Sequence, residues 1–173
     1  FNASLVAISD DDGDTWRASR PIIGLGPIQP SLVKRRDGTI IAFCRDSGPP
    51  PGRVMASLSR DNGETWSAAR DTDIPNPGAS LEVIVLRDGR WPIVYNDSTQ
   101  SRDNLTVAIS EDEGKTWPLK RRLEPQSGGA TSFSYPSVIQ SADGAVHITY
   151  TCKGPSGGRI RHGILQPGQL KTD

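Results

Sequence analysis

The chain has 173 residues, and its 20 Lys and Arg side chains are balanced by 20 Asp and Glu side chains, so the formal net charge is zero. Overall charge therefore gives no reason to expect binding to nucleic acid or to an anionic membrane. No apolar run approaches the roughly 18 residues that a membrane-spanning helix needs, so we predict no membrane span.

The composition favours strands and turns over helices. The chain contains 18 Gly and 14 Pro, scattered without a fixed period, and only 34% of its residues are hydrophobic. Helix interiors tolerate neither Gly nor Pro well. We therefore expect many short strands held together by small, repeated packing units rather than by one thick core.

An eight-residue motif, S-x-D-x-G-x-T-W, occurs three times, at residues 9–16, 59–66 and 110–117. Its Asp can accept hydrogen bonds from the backbone of a turn, and its Gly supplies the positive φ that the turn needs. Its Thr can close the turn, and its Trp can pack back onto a sheet. A calcium loop is the alternative, but the motif lacks the bidentate Glu and the length of an EF-hand. We predict a structural turn with no metal and no cofactor.

A second unit lies between these motifs. Asp-Gly turns at residues 36–38, 87–89 and 142–144 each precede a β-rich run, and further β-rich runs precede the motifs. Residues 4–8 form the first of those runs, and residues 160–165 form the last. The repeating order is strand, Asp-Gly turn, strand, loop, strand, motif, strand, which describes a four-stranded antiparallel blade of a β-propeller.

These units predict an all-β chain that forms a single partial β-propeller domain over residues 1–173. The chain is expected to begin in the third strand of one blade, to run through two whole blades, and to end after the third strand of the next. About three blades cannot close a ring. We therefore expect open blade faces unless other protein covers them, and self-association through those faces is one alternative.

The repeats also align three residues that open the first strand of each blade. Gln29, Ser80 and Tyr135 each stand nine residues before the Gly of an Asp-Gly turn. The first strand of a blade is innermost in a propeller, so these side chains should converge on the central mouth. Ligand sites lie where loops converge in this way.

The three motifs resemble the Asp boxes of sialidases (neuraminidases) and their relatives. The resemblance covers essentially the whole chain and implies the last half of a six-bladed propeller, with the Asp boxes on its rim. It also implies an exo-acting glycoside hydrolase that takes a terminal acidic sugar, such as sialic acid, from a glycan. Asp boxes occur in non-catalytic propellers too, so a propeller that only binds glycan or protein is the alternative.

The resemblance assigns roles to three residues. Tyr135 matches the nucleophile of sialidases, which use a Tyr rather than a carboxylate. Arg45 and Arg102 match the second and third arginines that clamp the substrate carboxylate, for which the guanidinium fork is suited. The alternatives are a buried Tyr135 bonded to backbone, and loop arginines paired with Asp46 or Asp103.

Gln29 departs from the pattern of the family, in which a Glu stands beside the nucleophile. A neutral amide cannot take the proton. Another carboxylate can substitute, the chemistry can differ, or the site can only bind. Glu82 is the candidate substitute, because it lies two residues beyond Ser80 on the same strand face. The first Arg and the acid/base Asp belong to earlier blades of the family, so we expect the segment alone to be inactive.

Two further features have a less specific interpretation. His147 and His162 are predicted to be isolated, with His147 packed in an apolar strand. Asn2, Asn96 and Asn104 open N-x-[ST] sequons, which matter only in a secreted eukaryotic protein.

Overall fold

The computed structural model describes residues 3–170 as antiparallel β-sheets followed by one 3-10 turn at Pro167–Leu170. Sheets A to D follow one another along the chain. Sheet A contains β1 (Ala7–Ile8) and β2 (Arg17–Ala18). Sheet B contains β3 (Pro27–Lys34), β4 (Ile40–Asp46), β5 (Arg53–Ser59) and β6 (Arg70–Pro75). Sheet C contains β7 (Glu82–Val83), β8 (Trp91–Tyr95), β9 (Leu105–Ser110) and β10 (Leu119–Glu124). Sheet D contains β11 (Ser132–Gln140), β12 (Val146–Gly154) and β13 (Gly157–Leu165).

Strands adjacent in the chain are adjacent in each sheet, which confirms the predicted blade unit. Sheets B and C are the two whole blades, sheet A supplies the last two strands of a blade, and sheet D supplies the first three. The first predicted strand, residues 4–8, is shorter than expected: only Ala7–Ile8 forms a strand, and Ser4 makes an isolated bridge to Ile22. Within residues 3–170, no helix is long and apolar enough to cross a membrane.

The Asp boxes close the turns as predicted. In the second box, Asp61 accepts hydrogen bonds from the Thr65 backbone N–H at 2.9 Å, from the Thr65 hydroxyl, and from the Ser59 hydroxyl at 2.8 Å. These bonds, led by that of the Thr65 hydroxyl, lower the pKa of Asp61 to about 2. The first and third boxes repeat the same contacts. Each box is therefore a self-satisfied connection between the last two strands of its blade.

The box tryptophans join neighbouring sheets. Trp117 of sheet C meets Phe43 of sheet B edge to face, with the ring centroids 6.0 Å apart, and Trp66 packs against the buried cluster that contains Ile22 and Met55. The Trp117 ring therefore rests on the preceding sheet. The expectation is wrong for Trp16, which is 64% exposed, because no sheet precedes sheet A in the described part of the chain.

The innermost strands of sheets B, C and D are tied to one another by side chains. The Ser31 hydroxyl of β3 accepts the Val83 N–H of β7 at 2.9 Å. One blade later, the Glu82 carboxylate of β7 accepts the Val138 N–H of β11, also at 2.9 Å. Ser31 and Glu82 occupy the same repeat position, as do Val83 and Val138. We call this contact the inter-blade clasp, and it places β3, β7 and β11 side by side along the inner edge.

Candidate functional site

Gln29 and Tyr135 share an unusual local structure. Each lies in a β-bulge of an innermost strand, between residues that pair with the second strand, and each is followed by Pro. Both residues have a φ of 52°, in the left-handed region that non-glycine residues rarely adopt. Such bulges re-aim a side chain and are frequent beside active sites. The repeat alignment therefore identifies two positions at which the backbone is distorted in the same way.

Ser80 occupies the third aligned position, just before the short strand β7. Its hydroxyl accepts a hydrogen bond from the Tyr135 N–H at 3.0 Å, so the aligned residues of sheets C and D are in direct contact. The Tyr135 side chain is 55% exposed. That exposure differs from the alternative of a buried Tyr bonded to backbone, and it leaves the phenol accessible to a ligand.

Arg45 lies at the end of β4, directly opposite Ile28 on β3. Its Nη1 donates a hydrogen bond to the Gln29 Oε1 at 3.2 Å, and its Nε is buried without a hydrogen-bond partner. The neighbouring Asp46 carboxylate is occupied by the backbone N–H groups of Gly48, at 2.6 Å, and Arg53, at 3.2 Å. Arg45 thus faces Gln29 rather than Asp46.

Arg102 is fixed by backbone contacts of its loop. Its Nη2 donates to the Gly78 carbonyl at 2.5 Å, and its own carbonyl accepts the Phe133 N–H at 2.7 Å. The second bond attaches this loop to β11 two residues before Tyr135. Asp103 instead accepts the Ser101 hydroxyl, which contributes most to the lowering of its pKa. The alternative pairing of Arg102 with Asp103 is therefore not the arrangement found.

Arg45 and Arg102 line one cavity of about 610 Å³. Loop 47–52 of sheet B, loop 76–78 after β6 and the loop that carries Arg102 form its walls. The buried Asp46 shapes the first of these loops through Gly48 and Arg53, and Asn76 shapes the second by exchanging two hydrogen bonds with Ala79. Two arginines therefore line the same cavity, a composition suited to an anionic ligand.

Glu82 lies on β7 and is half-buried. Its Oε2 belongs to the inter-blade clasp with Val138, three residues beyond Tyr135. The same clasp in the preceding blade uses Ser31, which has no acid–base function at neutral pH. This equivalence gives Glu82 a structural role, while its possible role as a base stays a prediction.

One cluster of polar side chains, Glu124, Tyr150 and Arg161, was not predicted from the sequence. Glu124 accepts the Tyr150 hydroxyl at 2.6 Å and pairs with Arg161 beside a second cavity of about 270 Å³. Burial and the hydrogen bond to Glu124 raise the pKa of Tyr150 to about 12, which disfavours it as a nucleophile. The repeat pattern of a single blade does not indicate this cluster, because its members come from two different blades.

The sequons at Asn96 and Asn104 are inaccessible in the folded chain. Asn96 is fully buried and donates hydrogen bonds to the carbonyls of Asn104 and Phe133, and Asn104 is also buried. The Asn2 sequon lies outside the described residues.

The fold and the cavity define a class of protein: an Asp-box β-propeller, here in part, with two guanidinium groups at one mouth and an exposed Tyr on the neighbouring inner strand. Comparison with known proteins agrees with that class. Residues 2–148 match the family model of the BNR repeat-like domain. The chain belongs to this family.

Curated relatives are sialidases. The chain is 30% identical over 152 residues to a sialidase of Micromonospora viridifaciens, covering 82% of the chain and 22% of that protein. It is 24% identical to a sialidase of Paraclostridium sordellii, covering 90% of the chain and 43% of that protein. The chain thus spans less than half the length of these relatives.

Solved structures show the same fold. The intramolecular trans-sialidase of Ruminococcus gnavus, in complex with oseltamivir carboxylate, superposes with a TM-score of 0.78 at 20% identity, covering 96% of the chain and 38% of that structure. An α-L-arabinanase of Penicillium chrysogenum gives a TM-score of 0.60 at 15% identity, covering 99% and 52%. These neighbours confirm the predicted fold class of a propeller built from four-stranded antiparallel blades.

Proposed function

We propose that this chain supplies part of the active site of a sialidase-like glycoside hydrolase that acts on a terminal acidic sugar. The observation that carries the proposal is the cavity shared by Arg45 and Arg102, next to the inner strands that hold Gln29 and Tyr135. The sialidase relatives support the substrate class. The activity is proposed for the full-length protein, with the remaining site residues supplied from outside this segment.

The carboxylate of the sugar is bound by Arg45 and Arg102. Arg45 lines the cavity, and the hydrogen bond from its Nη1 to Gln29 already orients its guanidinium group. Charge-assisted bonds from guanidinium to carboxylate are short and directional, so they orient the ring as well as hold it. A sugar whose acid group is esterified loses both interactions.

Tyr135 acts as the nucleophile toward the anomeric carbon. Its left-handed backbone turns the side chain out of the strand alternation, and its exposure leaves it accessible. The phenol must lose a proton to attack, since a phenol ordinarily titrates near pH ~10. Gln29 cannot accept that proton. Glu82 is proposed as the base that replaces the usual Glu, although its Oε2 also serves the inter-blade clasp.

The test is turnover of a fluorogenic sialoside by the full-length protein and by its Gln29→Glu and Arg45→Met variants. The proposal expects turnover by the wild type, faster turnover by Gln29→Glu, and a large loss in Arg45→Met. A Gln29→Glu variant that binds the sugar but remains inactive would contradict it.

A second candidate is a non-catalytic propeller that binds an acidic glycan. The hydrogen bond between Arg45 and Gln29 favours it, because the amide oriented by Arg45 completes a binding site without providing a base. Measurable sugar binding with no turnover by the wild type would favour this candidate over the hydrolase.

A further inference from the structure

Sheet D leaves one face without a neighbour in the described chain. We call it the D face; it consists of alternating residues that point away from sheet C: Ser137, Ile139, His147, Thr149, Ile160, His162 and Ile164. Its isoleucines are exposed, Ile139 at 63% and Ile160 at 71%. The equivalent residues of sheet B, Val33 and Val54, are buried in the cluster shared with sheet C.

Strand register shows that the two histidines replace apolar residues. His147 lies opposite Ile164, and the pairs at the same place in sheets B and C are Ile41–Leu58 and Pro92–Ile109. His162 lies opposite Thr149, and the residues equivalent to His162 are Ala56 and Val107. In both earlier sheets these positions face the next blade.

The D face carries the acceptor position of the inter-blade clasp. Ser137 stands where Ser31 and Glu82 stand in the two preceding blades, and it is exposed on β11. Ser31 and Glu82 each accept the backbone N–H of a residue on the next innermost strand. Ser137 thus presents an acceptor in the place where a further innermost strand would donate.

A propeller of this fold class packs each blade face against a neighbouring four-stranded sheet, so a further sheet is expected on the D face in the register of the B–C and C–D junctions. We infer that the His147–His162 pair weakens this junction in acid. The sheet expected on the D face would form the same interface that the chain already makes twice, between sheets B and C and between sheets C and D. The acid sensitivity follows from the geometry of the two rings and does not depend on the proposed function.

The histidines, predicted to be isolated, are joined by a hydrogen bond. The His147 Nδ1 and the His162 Nε2 are 3.0 Å apart, with the ring planes 11° apart and the centroids 5.2 Å apart. The centroid distance is nearly the N···N distance plus the two ring radii. The imidazoles therefore meet edge to edge in almost one plane rather than face to face.

The surrounding hydrogen bonds assign the protons. The Ser141 hydroxyl lies within hydrogen-bonding distance of two acceptors, the Asp143 carboxylate and the Ala145 carbonyl, so its proton is used there. Its oxygen then accepts from the His147 Nε2, which is 3.1 Å away. The His147 Nδ1 is left as an acceptor for the His162 Nε2–H. Both rings are neutral in this arrangement, with the tautomers assigned from the network.

Protonation of both rings removes this bond, because each nitrogen of a histidinium is a donor. The first added proton can be shared between the rings, with Asp143 linked to them through Ser141. The second added proton creates two imidazolium cations at a place from which a covering sheet would exclude water. Burying these charges without a paired anion costs free energy. The other residues of the D face on β11, β12 and β13 are uncharged; Asp143 in the turn and Lys153 at the far end of β12 carry the nearby charges. The effect appears in acid because both rings must take up a proton.

Hydroxyl-radical footprinting of the full-length protein, read out at Ile160 and Ile164 by mass spectrometry, tests the inference. At about pH 7.5 we expect both residues to be protected, and at about pH 5 we expect their labelling to rise several-fold. The variant His162→Val, which carries the residue of the equivalent position in sheet C, should stay protected at both values. Labelling of Leu86 and Phe133 at the C–D junction serves as the internal control and should not change.

Three results would overturn the inference. Strong labelling of Ile160 and Ile164 at about pH 7.5 would show that no sheet covers the D face. Protection that appears only at high protein concentration would show a second copy there instead. An acid response in His162→Val equal to that of the wild type would exclude the histidine pair as its cause. His147→Ile, which carries the residue of sheet B, provides an independent variant should His162→Val fold poorly.

Discussion

Replacing Arg45 with Met should remove most of the affinity of the full-length protein for a carboxylated sugar. Arg45 is half-buried beside the cavity, so water only partly replaces its lost interaction with a carboxylate. A hydrogen bond to a charged group contributes about 1.5–3 kcal/mol. Since about 1.4 kcal/mol corresponds to a tenfold change in affinity, binding should weaken by about 10- to 150-fold.

Isothermal titration calorimetry with sialic acid and its methyl ester measures this effect. Arg45→Met should reduce the preference for the free acid over the ester, because the lost interaction is with the carboxylate. Arg36→Met is the matched control: Arg36 lies in the Asp-Gly turn of sheet B, is exposed, pairs with Glu113 of the third Asp box, and does not line the cavity. Equal affinities of Arg45→Met and Arg36→Met for sialic acid would refute the assignment of the cavity.

Four further outcomes are expected of the full-length protein. Tyr135→Phe should abolish turnover while changing the affinity for a sialoside by less than about threefold, as measured by kinetics and calorimetry, because the phenol hydroxyl is needed for attack and not for the carboxylate clamp. Glu82→Gln keeps an acceptor for the Val138 N–H and should change the free energy of unfolding by less than about 0.5 kcal/mol, whereas Glu82→Leu should lower it by about 1–3 kcal/mol; retained turnover in Glu82→Gln would exclude Glu82 as the base. Trp117→Ala should lower the free energy of unfolding in urea by about 2–4 kcal/mol by removing the contact with Phe43, and Trp117→Phe should recover part of that loss. The pKa of Asp61 is lowered in the fold to about 2 from 3.8, so its stabilising contribution is present above pH 3.8 and is lost as the pH falls toward 2; urea titrations across that range should show a smaller acid loss for Asp61→Asn than for the wild type.

The sequence predicts those parts of the fold whose chemistry is local. In an Asp box, the Thr and the Ser donate hydrogen bonds to the Asp, and the Gly N–H donates to the Ser, all within eight residues. The turn can therefore be derived without knowledge of the rest of the chain. The Asp-Gly turns are equally local, and together they yield the blade unit, its strand order and the alignment of Gln29 with Tyr135. The shared φ of 52° at these two residues extends that alignment to the backbone.

The remaining features depend on contacts between residues on different strands or different sheets, which the local sequence does not encode. Trp16 has the same local sequence as Trp117 but no sheet beneath it in the described chain. His147 and His162 lie on different strands and meet through a diagonal contact between non-paired positions. Two side chains are candidate acceptors for Arg45: Asp46, its neighbour in the chain, and Gln29 on the paired strand. Arg45 donates to Gln29, because the Asp46 carboxylate accepts the backbone N–H of Gly48 in loop 47–52.

The most direct test of the central claim is a crystal structure of the full-length protein with a bound acidic sugar. We expect the sugar carboxylate to lie between the guanidinium groups of Arg45 and Arg102 and the Tyr135 hydroxyl to face the anomeric carbon. A sugar bound outside this cavity, or one held with its carboxylate turned away from both arginines, would contradict it.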